Sequence, residues 1–236
     1  MKKTVFSPPP IISIPIKGCD ERFAVRRIFC AGRNYADHIR EMGGTDSEKP
    51  PVFFTKPADA LVSDRHDVPY PRASKDVHHE VELVMALGKP LCCASENQAR
   101  DAIYGLAVGV DLTRRDLQAQ AKKHAGPWTS AKAFDHSAPI GAISPLDKPL
   151  GELGGAIRLF INDDLRQDGD LAQMLWSPVR LLVSLSELFD LKTGDLIFTG
   201  TPAGVGPVSI GDNIRAEIEG LLPLNFRIQA RTECTT

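Results

Sequence analysis

Two glutamates separated by a single residue are the first candidates for chemistry in this chain. Glu80 and Glu82 open a run in which the odd-numbered positions from 81 to 87 are all apolar. In a β-strand those apolar residues share one face, and the two glutamates share the other with Cα atoms about 6–7 Å apart. Val84 and Ala86 make that second face apolar as well. We therefore expect this strand to be covered on both sides.

Two carboxylates on a buried strand repel each other strongly unless something neutralises them. A divalent cation does so directly, whereas a solvent-exposed strand start would leave the pair as ordinary surface residues. A third acid, Asp111, follows the apolar run 105–110 and either ends a buried strand or caps the helix after it. Together Glu80, Glu82 and Asp111 form an all-oxygen set, which suits Mg²⁺ or Mn²⁺, with Ca²⁺ as a substitute, better than zinc.

A histidine and a glutamate three residues apart, His38 and Glu41, lie in a short segment predicted to be helical. Residues at this spacing share a helix face, so the carboxylate can orient the imidazole and the pair can act as a general base on water. The alternative is an exposed pair without function. The glycine-led stretch 43–50 follows directly, and it makes a mobile lid over a site conceivable.

Two lysines and one glycine-rich loop complete the candidates. Lys56 ends a β-rich segment, and Lys132 lies among small and aromatic residues. Each either extends its charged end to solvent or provides a buried cation for an anionic substrate. The loop 199–206 contains three glycines and two threonines, whose N–H and hydroxyl groups can bind an anion or simply form a tight turn. It matches neither a P-loop nor a dinucleotide fingerprint.

The elements that must position these residues are mostly strands. Alternating or apolar runs predict strands at 52–55, 80–87, 105–111 and 157–161, with a terminal hairpin around Gly220. Capping signals predict four helices: from Asn34 to Met42, from Ser95 to about Tyr104, from Thr113 to about Lys123, and from Ser177-Pro178 to about Phe189. Strands outnumber helices without alternating with them, which predicts an α+β, mainly β domain.

Bulk composition excludes several classes of function. The net charge is −2 and dense Lys/Arg runs are lacking, so the sequence does not predict nucleic-acid binding. The short basic stretch 122–124 is more simply explained as complementing a helix dipole. Prolines at 8–10 interrupt any signal-peptide helix, and no apolar run is long enough to span a membrane. Five cysteines without CxxC spacing indicate reduced thiols, and so a cytoplasmic protein.

Several motifs in a fixed order resemble the fumarylacetoacetate hydrolase family. They are CAGRNYADHIREMG (30–43), FFTKPADALV (53–62), HHEVELVMALGK (78–89), VGVDLTRRDLQ (108–118), AKAFDHSAPIG (131–141) and LIFTGTPAGVG (196–206). The resemblance covers nearly all of the chain from about residue 25 to 228. Within the family it is greatest to the bacterial fumarylpyruvate hydrolases and acylpyruvases.

This resemblance implies a mixed β-sandwich roll with a few peripheral helices, usually as a homodimer, in a single catalytic domain at 25–230 after an N-terminal arm at 1–24. It implies one Mg²⁺ or Mn²⁺ ion. The site roles that it implies are metal ligation by Glu80, Glu82 and Asp111, catalysis by His38, Glu41 and Lys132, and substrate binding or support by Arg115, Gln118, Thr201 and Lys56. It also implies that the helix carrying the dyad becomes ordered over bound substrate.

The implied reaction is hydrolysis of the C3–C4 bond of a 2,4-diketo acid, with fumarylpyruvate giving fumarate and pyruvate in aromatic-compound catabolism. His38, oriented by Glu41, would activate the water that attacks the 4-carbonyl. Alternatives on the same fold are an acylpyruvase, an oxaloacetate decarboxylase, or an isomerase/decarboxylase of unsaturated keto acids. A non-enzymatic metal- or anion-binding protein is a further alternative, but it would need neither the dyad nor Lys132.

Overall fold

The structure, a computed structural model, describes residues 4–45, 50–63 and 66–231. Strands predominate in the described parts of the chain. They are β1 (Ser13–Ile16), β2 (Cys19–Ala24), β3 (Arg27–Gly32), β4 (Val52–Lys56), β5 (Leu61–Val62), β6 (Val68–Pro69), β7 (Val77–His79), β8 (Val81–Leu87), β9 (Ile103–Val110), β10 (Thr113–Arg114), β11 (Ala138–Pro139), β12 (Ser144–Pro145), β13 (Ala156–Ile161), β14 (Asp164–Asp170), β15 (Asp195–Phe198), β16 (Gly206–Pro207), β17 (Asn213–Ile218) and β18 (Leu224–Gln229). The helices are α1 (Ala36–Glu41), α2 (Glu96–Ala102), α3 (Arg115–Lys123), α4 (Thr129–Lys132) and α5 (Pro178–Leu188), with 3₁₀ turns at Ala58–Ala60 and Leu171–Gln173.

A six-stranded sheet forms the centre of the molecule, in the order β12-β9-β8-β15-β3-β4. It is mixed, because β15 runs parallel to β3 and antiparallel to β8. Every residue of β8 is buried. The expected burial of this strand on both faces is therefore confirmed.

The two faces of this sheet are covered by different elements. One face packs on the five-stranded sheet β14-β13-β17-β18-β6, and residues of both sheets share one apolar core. The opposite face, which includes Val84 and Ala86, packs on Ile14, Ile16 and Phe23 of the β1–β2 hairpin. The segment 1–24, predicted as an arm, thus contains a hairpin that helps to bury the central sheet.

Helix starts illustrate what local capping signals can and cannot predict. The capping box of Ser95 with Gln98 is present, and the Ser177 hydroxyl accepts a hydrogen bond from the Arg180 amide at the start of α5. Two predicted starts are wrong. Asn34 is not the cap of α1, whose N-cap residue is Tyr35, because its amide is used in tertiary hydrogen bonds. Thr113 lies in β10, paired with β7, so α3 begins only at Arg115.

The predicted terminal hairpin and the predicted strand at 157–161 are both present, and that strand also forms a hairpin. β13 and β14 pair antiparallel across Asn162 and Asp163, which have φ values of 51° and 69°. Positive φ at both central residues is the requirement of the tight turns that match strand twist, and Asn and Asp tolerate it. β17 and β18 form the terminal hairpin around Gly220.

The architecture is α+β and mainly β, a mixed sandwich with peripheral helices, as predicted. None of the helices in the three described ranges is long and apolar enough to cross a membrane. The described cysteines, Cys19, Cys30, Cys92 and Cys93, are free thiols.

Gly109 is a point of close packing within the central sheet. It pairs with Glu82 across β8 and β9, and a Cβ atom at this position would lie 2.6 Å from both the Phe198 ring and Val84 Cγ2. We expect Gly109→Ala to lower the free energy of unfolding by about 1–3 kcal/mol, the usual cost of overpacking a filled core. Urea denaturation followed by circular dichroism would measure it.

Gly151→Ala is the matched control, since a Cβ there meets no atom within 4 Å and the residue is exposed. Its unfolding free energy should stay close to that of the unmodified chain. Equal stability of the two variants would contradict the close packing at Gly109.

Candidate metal centre

Strand register brings the three predicted acids together. The Asp111 amide donates a 2.8 Å hydrogen bond to the Glu80 carbonyl, one step beyond the Val81–Val110 pair of the β8–β9 ladder. Directly opposed residues share a sheet face, and so do residues two apart on one strand. Carboxylate oxygens of Glu80, Glu82 and Asp111 accordingly lie within 4.8 Å of one another, and all three residues are buried.

Two cations compensate most of the charge of Glu80. Lys132 Nζ donates to Glu80 Oε2 and to Asp111 Oδ2, both at 2.6 Å, and Arg115 donates to Glu80 Oε1 at 2.5 Å. Burial acts to raise the pKa of Glu80, but Lys132 and Arg115 outweigh it and hold that pKa well below its usual range. Burial likewise disfavours the charged Lys132, yet the negative charges of Asp111 and Glu80 raise its pKa above the usual value.

Lys56 supports the cluster from behind. Its ammonium lies 2.8 Å from Asp111 Oδ1 and donates to the backbone carbonyls of Leu112 and Lys132. The residue is only 2% exposed. It is not among the residues that line the cleft in front of the acids, so it fixes Asp111 rather than facing a ligand.

Glu82 is the least compensated of the three acids. Among the described residues its one hydrogen bond comes from the Gly200 amide, at 2.7 Å to Oε2. Burial, reinforced by the negative charges of Asp111 and Glu80, raises the pKa of Glu82 well above its usual range. A cation beside these oxygens would counteract that shift by favouring the charged carboxylate.

The chemistry of this donor set fits a hard divalent cation. All the candidate donors are carboxylate oxygens, and they converge from buried positions on one point. Such oxygen ligands suit Mg²⁺, Mn²⁺ and Ca²⁺, whereas zinc sites usually contain nitrogen or sulfur ligands. The three carboxylates can therefore hold a divalent cation.

The His38–Glu41 pair lies on α1 at the same cleft. His38 Nδ1 is 3.4 Å from Glu41 Oε2, and His38 lines the cleft whereas Glu41 lies beside it. Burial lowers the pKa of His38 below its usual 6.5, although Glu80 and Glu41 partly offset the effect. The imidazole is thus neutral at neutral pH, the form that can accept a proton.

The start of α1 is fixed to the rest of the molecule. Asn34 is 1% exposed, donates to the carbonyls of Trp176 and Thr199 at 3.0 and 2.8 Å, and accepts from the Trp176 amide at 2.7 Å. Ordering of residues 33–49 over a bound ligand stays a prediction. Of that segment, residues 46–49 lie outside the described residues.

The loop 199–206 uses its amides on the protein's own acids. The Gly200 amide donates to Glu82, and the Gly204 amide donates to both Glu41 oxygens at 3.1 and 3.2 Å. Gly204 has φ of +92°, and a Cβ there would lie 2.3 Å from the Arg166 carbonyl oxygen, so only glycine fits. One loop thereby orients a candidate metal ligand and the partner of the candidate base.

Gln167, on β14, was not singled out from the sequence. It is fully buried, and its Oε1 accepts from His79 Nδ1 and the Val81 amide at 2.8 and 3.1 Å. Its Nε2 donates to Thr201 Oγ1 and to the Pro202 carbonyl, at 2.7 and 3.0 Å. Because the Thr201 oxygen accepts this bond, its own proton stays free to donate to an anion in the cleft.

Most of the predicted site residues line one cleft. The predicted members are His38, Glu80, Glu82, Asp111, Arg115, Gln118, Lys132 and Thr201. Arg115 also donates to Gln118 Oε1 at 2.7 Å, which holds both side chains along α3. The other lining residues include Arg33, Phe54, Lys122 and Trp128, none of which was predicted as a site residue.

Comparison with known proteins shows the family to which this chain belongs. The sequence profile of the family described as "Fumarylacetoacetate (FAA) hydrolase C-terminal" matches residues 27–229. The mitochondrial oxaloacetate tautomerase of Bos taurus is 39% identical over 204 residues, 86% of this chain and 92% of the relative. An oxaloacetate tautomerase of Escherichia coli is 41% identical over 199 residues, 84% of this chain and 90% of the relative.

Among solved structures, the fumarylpyruvate hydrolase from Pseudomonas aeruginosa, in complex with Mn²⁺ and pyruvate, superimposes with a TM-score of 0.94. It is 42% identical, and the match covers 97% of this chain and 100% of that one. The fold, the order of the motifs and the coverage agree. The chain belongs to the fumarylacetoacetate hydrolase family.

Proposed function

We propose that this protein is a divalent-metal-dependent hydrolase that cleaves the C3–C4 bond of a 2,4-diketo acid, with fumarylpyruvate as the preferred substrate. The observation that carries the proposal is a neutral histidine, oriented by a glutamate, in the same cleft as three converging carboxylates. The similarity to a fumarylpyruvate hydrolase over nearly the whole chain supports it.

The side chains in the cleft have separate roles in the proposed hydrolysis. His38 removes a proton from water, and Glu41 orients the imidazole and stabilises the imidazolium that forms. The water attacks the 4-carbonyl, and the Arg115 guanidinium or the Gln118 amide donates to the oxygen that becomes negative. Thr201, with its hydroxyl oxygen occupied by Gln167, donates its proton to the substrate carboxylate. His38 then returns its proton towards C3 of the departing pyruvate enolate.

Glu80, Glu82 and Asp111 would hold the divalent cation, whose charge, when bound, stabilises the enolate of a 2-oxo acid. Lys132 keeps two of these carboxylates ionised and correctly spaced. Lys56, Lys132 and Arg115 together match the formal charge of the three carboxylates, although in the described ranges none of them forms an ion pair with Glu82. A bound dication would therefore give the cleft a net positive charge, which suits an anionic substrate.

A second candidate is oxaloacetate tautomerase, the activity named for curated relatives that are about 40% identical. This reaction moves a proton between C3 and the 2-oxygen of oxaloacetate. His38 is equally placed to accept that proton, so the dyad alone does not separate the two activities.

A substrate panel tests the proposal. Purified protein with Mn²⁺ should convert fumarylpyruvate to fumarate and pyruvate, seen as loss of enol absorbance and identified by chromatography, faster than it acts on acetylpyruvate, maleylpyruvate or oxaloacetate. Keto–enol exchange of oxaloacetate, measured as C3 deuterium uptake, without cleavage of any acylpyruvate would overturn the hydrolase and establish the tautomerase.

Removal of the cation should abolish turnover, and added Mg²⁺ or Mn²⁺ should restore it. Glu82→Gln removes one charged ligand, so we expect Mn²⁺ binding to weaken by at least about 10–100-fold, the cost of losing even a hydrogen-bond partner of a ligand. Electron paramagnetic resonance of free Mn²⁺ measures this directly. Glu187→Gln, on the exposed side of α5, should bind Mn²⁺ normally. Equal Mn²⁺ affinity of the two variants would contradict the assignment of Glu82 as a metal ligand.

His38→Ala should lower kcat by roughly 10²–10⁴-fold, the usual contribution of a general base, with Mn²⁺ affinity nearly unchanged. Glu41→Gln should have a milder effect of the same kind. His66→Ala, which replaces an exposed histidine, is the control and should keep full activity. Wild-type turnover by His38→Ala would show that the proton is moved by another group.

A further inference from the structure

The cleft has two chemically different ends. Its inner end contains the buried carboxylates. Its outer end contains Arg33 and Lys122, which are both exposed to solvent. Arg33 follows β3, and Lys122 lies in the last turn of α3. Phe54 lies between the two ends, because its ring centroid is 5.0 Å from Lys132 Nζ and 6.0 Å from the centroid of the Trp128 ring.

Within the described residues, the two outer cations are not paired with an adjacent carboxylate. In the described ranges, no carboxylate forms an ion pair or hydrogen bond with Arg33 or Lys122. The acids that line the cleft are all at the inner end, where Lys132 and Arg115 compensate them. The outer end is therefore a region of unbalanced positive charge, which attracts anions.

Lys122 is held in this region by an aromatic ring. Its Nζ lies 5.7 Å from the centroid of the Trp128 ring, and both side chains line the cleft. Burial lowers the pKa of Lys122, and the positive charges of Arg115 and Arg33 act in the same direction. Lys123 has the same position relative to the helix dipole but does not line the cleft. Complementing the dipole thus does not explain why Lys122 faces inward.

We propose that Arg33 and Lys122 bind the second carboxylate of a dicarboxylic substrate at the outer end of the cleft. This inference rests on the proposed function, because it takes the 2-oxo acid end to lie at the carboxylate cluster. The inner end is closed by buried core, so the acyl chain must extend towards the exposed mouth. Apolar contacts with Phe54 and Trp128 would accompany its carbons, and the two cations would meet its terminal carboxylate.

The site would then select acylpyruvates by their distal charge. A seven-carbon dianion such as fumarylpyruvate gains a charge-assisted hydrogen bond that a neutral acyl group cannot form. Acetylpyruvate would still be a substrate, because the reacting end is the same, but with a higher KM.

Two unreactive ligands of equal length test this. 2-Oxoheptanedioate carries the distal carboxylate, 2-oxoheptanoate replaces it with a methyl group, and neither has a 4-oxo group to be cleaved. Calorimetric titration of the Mn²⁺-loaded protein should show that Lys122→Met weakens 2-oxoheptanedioate binding on the order of 10-fold. Binding of 2-oxoheptanoate should change less than about twofold. Methionine keeps an unbranched stem over Trp128.

Lys123→Met is the matched control, since it removes the same charge from the same helix end, and it should alter neither affinity. Lys122→Arg should retain the preference for the dianion. Equal losses for both ligands, or no loss for either, would overturn the subsite. Steady-state kinetics on fumarylpyruvate and acetylpyruvate should show the effect of Lys122→Met in KM for the former alone. If the unmodified protein cleaves neither, the proposed hydrolysis fails, while the titration still decides the subsite.

Discussion

The burial of three carboxylates within 4.8 Å of one another is the constraint on which the rest of this structure depends. Desolvation and mutual repulsion both disfavour their charged forms, so every neighbouring element must supply compensation. Lys132 bridges two of the acids, Arg115 meets the outer oxygen of Glu80, and Lys56 lies behind Asp111. Glu82, among the residues that the structure describes, accepts a single hydrogen bond from a backbone amide. The place where compensation is incomplete is also where a divalent cation has its clearest role.

The fold achieves this arrangement by burying one strand completely. β8 is covered on one side by the second sheet and on the other by the N-terminal hairpin. Gln167 then connects the start of β8 with the Thr201 loop, and the same loop contacts Glu82 and Glu41 through its amides. The strand of the candidate metal ligands, the helix of the candidate base and the Thr201 hydroxyl are thus held by one short network. A displacement of any part would move the others.

Much of this could be predicted from the sequence because it depends on local periodicity. The alternation along 80–87, the acid ending 105–111 and the caps at Ser95 and Ser177 each require only neighbouring residues. Which strands pair, and in which register, cannot be predicted from neighbouring residues alone. That Asp111 lies opposite Glu80 is set by the register between two strands. Asn34 looked like a helix cap because its competing tertiary hydrogen bonds come from residues about 140–165 positions away.

Gln167 had no sequence signal at all, since it lies among exposed polar residues of β14 and only the fold buries it. The sequence likewise does not distinguish Lys122, which lines the cleft, from the neighbouring Lys123, which does not. Motif positions therefore describe the reacting end of the cleft better than its mouth. Differences in substrate between related enzymes are accordingly to be sought at the mouth of the cleft.

Hydrolysis of an acylpyruvate and tautomerisation of oxaloacetate both stabilise an enolate and both need one base. The roles proposed for the carboxylate cluster and His38 suit either reaction, so these residues do not distinguish relatives that differ in activity. The substrates differ in what lies beyond C3: a short carboxylate in one, a longer acyl chain in the other. Discrimination between the two substrates must accordingly come from the part of the cleft that the substrate's acyl chain reaches. In this protein the proposed outer end of the cleft contains Phe54, Trp128, Arg33 and Lys122. If the acyl chain extends there, as we propose, a preference for one substrate arises from the charge of that end rather than from the metal.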